Sequence, residues 1–318
     1  MPQIRFAGQL HPVEEGETVL DALLRAGHSI PNSCRAGACQ SCLLKATSGE
    51  VSASSQNGLK PALREQSCFL SCVCRPTGDL ELSLPTESSR YPAAIEAITP
   101  LSPSVFQILL KTTEAFTYRA GQYLTLFRED GQSQIARSYS IASLPDSSHI
   151  ELHVRLIPNG AMSTWLANQA RPGDAVTIQG PAGNCFYTEM PATQPLILAG
   201  TGTGLAPLYG VLRDALRQHH SGPITLLHGA LNDQGIYLRE ELSAIAAQHK
   251  NVNYHPVVLD RDGPLPDYIA QRHNALKGYR AFVCGDPAIV NTLSKRFFLA
   301  GVASRDIHSD AFLPTPNR

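Results

Sequence analysis

The chain carries eight cysteines, and six of them crowd between residues 34 and 74. Three are spaced Cys34-x4-Cys39-x2-Cys42, and Cys72 follows after 29 intervening residues. This constrains the fold more than any other feature, because four thiolates that converge on one inorganic centre dictate the path of the backbone between them. The C-x4-C-x2-C…C spacing suits a [2Fe–2S] cluster. Zinc knuckles present paired C-x2-C hairpins, and the first gap here is four, so zinc is the poorer fit. Ala36, Gly37 and Ala38 leave room for backbone amides to approach inorganic sulfide and offset its negative charge. The fourth ligand is read as Cys72, with Cys74 as the alternative. Strand alternation puts Cys68, Cys72 and Cys74 on one side, so periodicity does not choose among them. The thiols left over should behave as small buried apolar groups.

Around this loop, Ile4 and Phe6 alternate as a first strand and Gly8 marks a turn. Thr18 caps a helix whose apolar face is Val19, Leu20, Leu23 and Leu24, ended by Gly27. Leu80, Leu82 and Leu84 alternate as a closing strand before Pro85. This order, with Ile30-Pro-Asn-Ser-Cys34-Arg-Ala-Gly, resembles the β-grasp ferredoxin domain and its cluster loop.

Residues 85–92 are polar and proline-bearing and predict a linker. Strand-like runs follow at Val105–Leu110, Gln122–Phe127, Ser138–Ile141, Ile150–Leu156 and Asp174–Gln179, a spacing that suggests an antiparallel barrel. Two motifs lie within it. A guanidinium at Arg137 suits bidentate capture of a phosphate, and amides opening the helix expected at Ser163–Asn168 suit a second anion site. Arg137-Ser138-Tyr139-Ser140 resembles the R-x-Y-S signature of the ferredoxin–NADP reductase superfamily, and Gly160-Ala-Met162-Ser163 resembles its phosphate turn. The resemblance implies that Arg137 holds the FAD pyrophosphate, that Tyr139 packs on the flavin, and that Ser140 bonds near the flavin N5. It implies phosphate donors at Met162 and Ser163, and adds Ser138, His153 and Val154 to the residues flanking the cofactor.

A third block begins at residue 191. Leu196-Ile-Leu-Ala199 reads as a buried strand, followed by Gly200-Thr201-Gly202-Thr203-Gly204-Leu-Ala-Pro207 and a helix to about His219. Strand, glycine turn and helix form the context in which a backbone approaches a dinucleotide pyrophosphate. Further strands at Ile224–His228, Val252–Val258 and Tyr279–Val283, with helices between, predict a mostly parallel sheet. Cys284-Gly285-Asp286-Pro287 resembles the superfamily's C-G-x-P turn, which implies a thiol beside the nicotinamide. Phe312 is read either as a cover for the far face of the flavin or as part of a frayed tail. His219-His220 is expected to be solvated, and the remaining histidines show no ligand spacing.

The expected architecture is multidomain, α+β and α/β. A β-grasp ferredoxin domain spans 1–87, an antiparallel flavin-binding β-barrel 88–190, and a Rossmann-like parallel-sheet nucleotide domain 191–318. The resemblance covers essentially the whole chain. It is similar to reductase components of bacterial multicomponent oxygenases, whose acceptors are Rieske dioxygenases or di-iron monooxygenases. That implies an NAD(P)H-dependent oxidoreductase carrying FAD and [2Fe–2S], with Ser140 and Cys284 as its catalytic residues and Cys34, Cys39, Cys42 and Cys72 as cluster ligands. Its partners would be NADH as donor and an oxygenase component, or that component's ferredoxin, as acceptor. A reductase supporting deoxysugar formation, an electron-relay subunit and a zinc-bearing flavoprotein oxidase are the other readings. No Arg or Lys follows strand Ile224–His228 before Arg239, which favours NADH over NADPH, although folding could bring Arg239 or Arg261 close. Lys and Arg total 26 against 27 Asp and Glu, a net charge of -1. Such a balance argues against nucleic acid and anionic lipid as partners. The chain start lacks a secretory signal, and no apolar run reaches a membrane span, so a cytoplasmic location is expected.

Overall fold

The computed structural model describes residues 2–30, 32, 35, 37, 42–59, 61–85, 90–130, 133–188 and 191–312. The chain divides into two units, Met1–Ser89 and Arg90–Arg318. Among the described residues, no helix is long and apolar enough to cross a membrane.

In the first unit, β1 (Gln3–Phe6) and β2 (Gln9–Pro12) form a hairpin. Helix α1 (Val19–Arg25) begins where the Thr18 hydroxyl accepts from the Asp21 amide at 3.2 Å, a cap worth about 1 kcal/mol. Strand β3 (Leu43–Ser48), helix α2 (Pro61–Glu65), β4 (Cys68–Leu70) and β5 (Leu80–Ser83) complete the unit. The sheet runs β2-β1-β5-β3-β4, with β1 and β5 parallel and the other neighbours antiparallel. Val19, Leu20 and Leu23 of α1 share one core with Ile4, Phe6, Leu44, Phe69 and Leu82. The strand expected through Cys74 is corrected: β4 stops at Leu70, and the Val73 amide closes a turn onto the Leu70 carbonyl at 3.2 Å.

The second unit opens with β6 (Arg90–Ser102), which begins inside the segment read as linker. Strands β7 (Val105–Thr112), β8 (Tyr123–Asp130), β9 (Ser133–Ser140), β10 (Ile150–Arg155) and β11 (Ala175–Ala182) follow, with helix α3 (Ala161–Asn168) between the last two. Their order is β10-β7-β6-β11-β8-β9, all antiparallel, and the bridge Ile141–Leu152 joins the two edges into a barrel. The phosphate-turn helix starts two residues earlier than expected, at Ala161.

Next come β12 (Leu196–Thr201), α4 (Leu205–Arg217), β13 (Ile224–Ala230), α5 (Arg239–Gln248) and β14 (Val252–Val258). Helices α6 (Leu259–Asp262) and α7 (Leu265–Arg272), strand β15 (Arg280–Gly285), helix α8 (Pro287–Leu299) and strand β16 (Ile307–Ala311) follow among the described residues. All neighbours in the sheet β14-β13-β12-β15-β16 are parallel. A parallel strand is buried on both faces, and alternation divides its residues between them. Leu196, Leu198, Phe282 and Cys284 enter the core on one side, and Ile197, Ala199, Ala281 and Val283 the core on the other. The first of these cores also takes in Val105, Ala142, Cys185 and Tyr187, so the barrel and the parallel sheet are built on shared apolar packing.

A buried polar network crosses the same junction. Glu151 on β10 is reached by His153 Nε2 at 3.0 Å, by Arg213 Nη2 of α4 at 3.1 Å and by Gln107 Nε2 at 2.7 Å. His153 Nδ1 lies 3.2 Å from the hydroxyl of fully buried Tyr237. Burial alone would raise the Glu151 carboxyl, but His153 and Arg213 outweigh it and bring the value to about 2. A carboxylate depressed on folding adds stability above its ordinary 4.5, and that contribution is lost as pH falls toward about 2. Glu151→Gln is therefore expected to cost up to about 3 kcal/mol at neutral pH. Denaturant unfolding of both proteins should show this gap narrowing as the medium is acidified through that window. A gap that does not change with pH would contradict the ionic role.

Candidate functional site

In the first unit, Arg35 and Gly37 of the cysteine loop take positive φ values of 52° and 74°. A side chain on Gly37 would come within 3.5 Å of Val73 and 3.6 Å of Leu70, so Gly37 lies close against the turn after β4. Ser71 fastens that turn to Cys42: its amide and its hydroxyl both donate to the Cys42 carbonyl, at 3.2 and 2.8 Å. Buried Cys72 is thereby carried beside buried Cys42. Cys74 goes elsewhere. Its thiol faces Ser55 and Ser52, burial pushes it up, and its carbonyl receives the Val19 amide at 2.9 Å. Cys68 is likewise buried, with its thiol pushed up by desolvation. Cys34 and Cys39 lie outside the described residues. The thiol donor set and the small-residue loop fit a [2Fe–2S] cluster.

In the barrel, β8 and β9 pair Tyr123 with Ser140, Leu124 with Tyr139, Thr125 with Ser138 and Leu126 with Arg137. Arg137 and Tyr139 thus share one face of β9, and Ser138 and Ser140 the other. Arg137 is half-buried and donates to the Ala136 carbonyl at 2.7 Å; Ser138 lies 3.1 Å from the Thr125 hydroxyl. Burial raises the Tyr139 phenol, which keeps it neutral. Gly160 precedes helix α3 as its N-cap and offers no side-chain cap, so the helix's first amides are open to an anion. A Cβ at Gly160 would meet the Ser163 hydroxyl at 2.7 Å and Ile157 at 3.0 Å. The Ser163 hydroxyl accepts from the Ile157 amide at 3.1 Å, which turns it back into this loop. Val154 and Met162 contribute their side chains to the barrel core, and His153 is committed to the Glu151–Tyr237 network. An uncapped helix start, a half-buried guanidinium on the neighbouring strand and an adjacent neutral aromatic fit a flavin dinucleotide.

In the parallel sheet, the glycine turn is a tight fit. A Cβ at Gly204 would fall 2.3 Å from the Cys284 carbonyl oxygen, and one at Gly200 would fall 3.0 Å from it. Gly202 is open, with Arg155 Nη1 of β10 at 4.0 Å from its would-be Cβ. Thr203 lies in the short 3-10 turn Gly202–Gly204, and Pro207 in the first turn of α4. The hydroxyl of Thr201 accepts from the Asp286 amide at 3.3 Å, and a side chain on Gly285 would strike Thr201. Asp286 caps α8, its carboxylate accepting from the amides of Ala288 and Ile289. Backbone pressed this close, with a cation beside it, fits a pyrophosphate.

The barrel and sheet residues meet at Ser140. Its hydroxyl donates to Asp310 Oδ2 of β16 at 3.2 Å, and Asp310 pairs with Cys284 across β15 and β16. Burial raises the Asp310 carboxyl against the opposing effect of Ser140. Burial also lifts the Cys284 thiol, joined by Cys185 at 3.2 Å and by the charge of Asp310. Tyr123 closes the group, its phenol raised by burial and by Asp310. The Phe312 amide donates to the Gly285 carbonyl at 2.8 Å, which fastens the backbone there to the end of β15. Asp310, Cys185 and Arg155 were not foreseen. Strand pairing and loop packing place them, and no local pattern marks them. His220, expected in solvent, is buried with its Nδ1 3.0 Å from the Tyr187 hydroxyl.

Three family models match in succession: a 2Fe-2S iron-sulfur cluster binding domain over residues 7–77, an oxidoreductase FAD-binding domain over 93–187, and an oxidoreductase NAD-binding domain over 198–295. The chain is 30% identical to the ferredoxin–NAD(P)(+) reductase component of the naphthalene 1,2-dioxygenase system of Pseudomonas putida, covering 95% of each chain. It is 31% identical to the reductase subunit of an aromatic O-demethylase of Amycolatopsis sp., covering 98% of each. Among solved structures, an Amycolatopsis cytochrome P450 reductase superposes with a TM-score of 0.68 at 30% identity, over 99% of both chains.

Proposed function

Because the chain belongs to the family of iron–sulfur flavoprotein reductase components of oxygenase systems, we propose that it takes electrons from NADH and delivers them, through FAD and a [2Fe–2S] cluster, to the oxygenase component of an aromatic-degrading system or to that component's ferredoxin. The observation that carries this reading is the meeting of Ser140 from the barrel with Asp310 and Cys284 from the parallel sheet. Flavin and nicotinamide must face each other, and here a barrel hydroxyl from the R-x-Y-S segment meets the thiol-bearing end of the parallel sheet.

The flavin supplies the step from two-electron to one-electron transfer, and the cluster supplies single-electron delivery. The chain's own residues supply position and charge. Arg137 and the α3 amides of Ala161 and Met162 would hold the FAD pyrophosphate, and Tyr139 would pack against the flavin. Ser140 donates a hydrogen bond to Asp310, so its oxygen would still be able to accept one from a donor at the flavin edge. Cys284, kept as a neutral thiol, offers a soft apolar wall at the nicotinamide position. Gly200, Gly202 and Gly204 bring backbone to the nucleotide phosphates, with Arg155 nearby. Phe312, fixed at Gly285, would cover the flavin's far face. Cys34, Cys39, Cys42 and Cys72 would bind the cluster. On this reading residues 1–87 carry iron and sulfur, 88–190 flavin and 191–318 the nicotinamide nucleotide.

Anaerobic titration of the purified protein with NADH tests the reading. A flavin band and a thiolate-to-iron band should bleach together. A protein that dithionite bleaches but NADH leaves coloured would overturn the assignment of NADH as donor.

A further inference from the structure

Strand β13 ends beside the glycine turn, with Gly229 paired to Thr201. Leu231 projects into solvent, 72% exposed, and Asn232 caps the short turn Asp233–Gly235 by accepting from the Gly235 amide at 3.2 Å. Asp233 then gathers two guanidinium groups on a single oxygen. Its Oδ1 accepts from Arg239 Nη2 at 2.6 Å and from Arg261 Nη1 at 3.3 Å. Arg239 opens α5, after β13, and Arg261 lies in α6, after β14. The other side of the Arg261 guanidinium rests on Asp262, at 2.8 and 3.1 Å. All of these groups stand at the carboxyl ends of parallel strands, where open α/β sheets bind their ligands.

Stability does not explain the arrangement. The side chains of Asp233, Arg239 and Arg261 are 64%, 40% and 50% exposed, and ion pairs that open to solvent contribute little to folding. Recognition explains it better. NADH presents a ribose 2′-hydroxyl beyond the second strand of such a sheet, which a carboxylate can accept; NADPH presents a 2′-phosphate, which arginine accommodates. Here both kinds of reader stand in one place, and the carboxylate occupies the two arginines.

We infer that Asp233 is the residue that sets coenzyme selectivity, acting as a latch that holds Arg239 and Arg261 away from a 2′-phosphate. With Asp233 present, two guanidiniums face two carboxylates, Asp233 and Asp262, and a phosphate dianion finds no net attraction. Without Asp233 one positive charge is left over, and both forks are free to donate to phosphate oxygens. The inference rests on the reading that the nucleotide binds at the glycine turn with its adenosine end beyond β13.

The test measures calorimetric affinity of the intact holoprotein for 2′,5′-ADP and for 5′-AMP, in wild type, Asp233→Ala and Asp233→Asn. A freed charge-assisted bond should raise the ratio of 2′,5′-ADP to 5′-AMP affinity by about 10-fold or more in both variants. The NADPH-to-NADH ratio of kcat/KM with a dye acceptor should move in the same direction. Adding Arg239→Ala or Arg261→Ala to Asp233→Ala should take the gain away. Unchanged ratios in variants that still bind 5′-AMP would overturn the latch. If wild type itself fails to bind 5′-AMP or NADH, the underlying reading of the nucleotide site falls instead.

Discussion

Cys72→Ser is expected to yield a flavoprotein without an iron–sulfur band. A serine alkoxide is a harder, more basic ligand than thiolate, and a cluster held by three cysteines loses an anchor. The effect should exceed the roughly 10–100-fold loss that follows removal of a group merely supporting a metal ligand. NADH-driven reduction of a one-electron protein acceptor should collapse, while NADH-to-dye activity through the flavin persists. Cys74→Ser should keep the band, because Cys74 faces Ser52 and Ser55 and its backbone receives Val19, on a different path from the Ser71–Cys42 bonds. It should show only the modest loss of stability that follows a polar change in a buried site. The pair is read by visible absorbance and iron content. Loss of the band in Cys74→Ser with its retention in Cys72→Ser would reverse the ligand assignment.

Gly204→Ala should have the second large effect. The added methyl would sit 2.3 Å from the Cys284 carbonyl oxygen, 2.6 Å from its carbon and 2.8 Å from the Gly285 Cα. These are backbone atoms of the interior strand β15, so no side chain can swing aside to relieve the clash. Overpacking of this kind typically costs 1–3 kcal/mol, roughly 5- to 150-fold in an equilibrium. That cost falls on the turn that must approach the pyrophosphate. NADH affinity and the rate of NADH-driven flavin reduction should drop together, while FAD content, cluster absorbance and reduction by dithionite remain. Full retention of NADH affinity in a folded Gly204→Ala protein would remove the glycine turn from the nucleotide site. Gly202→Ala makes a useful contrast, because space at Gly202 is open and its φ of 54° is the main obstacle.

The parts of the site legible in the sequence were those whose chemistry requires residues at fixed local spacing. Three cysteines in nine residues, alternating Arg137 and Tyr139, and glycines between a buried strand and a helix each carry their meaning within one short segment. Strand β6 was harder to see because its opening, up to Pro92, falls in the polar segment read as linker, and Pro100 interrupts its later part. The structure tolerates these prolines near the strand's start and beside an irregularity in its pairing with β7. Asp310 was invisible as a functional group because its neighbours Ser140 and Cys284 lie 170 and 26 residues away in sequence. The surroundings of His153 and His220 were hidden for a related reason. Each is placed by a tyrosine from a distant segment, Tyr237 in one case and Tyr187 in the other. Burial decided by tertiary contact leaves no periodic trace in the residues it buries.

The cores of this protein also say how such a chain can be inherited. Ile4, Leu20, Leu44, Phe69 and Leu82 close their packing within the first 89 residues, whereas Val105 and Cys185 of the barrel lie in one core with Leu198 and Phe282 of the parallel sheet. Among the described residues, a recombination crossover between these two units leaves each of the four cores whole, while one between the barrel and the sheet cuts through a shared core. Descent can therefore exchange the cluster-bearing segment as a block, giving a lineage a new electron outlet. Exchanging the flavin or nucleotide segment alone would have to rebuild a shared core, so the inlet is more readily altered by point substitution.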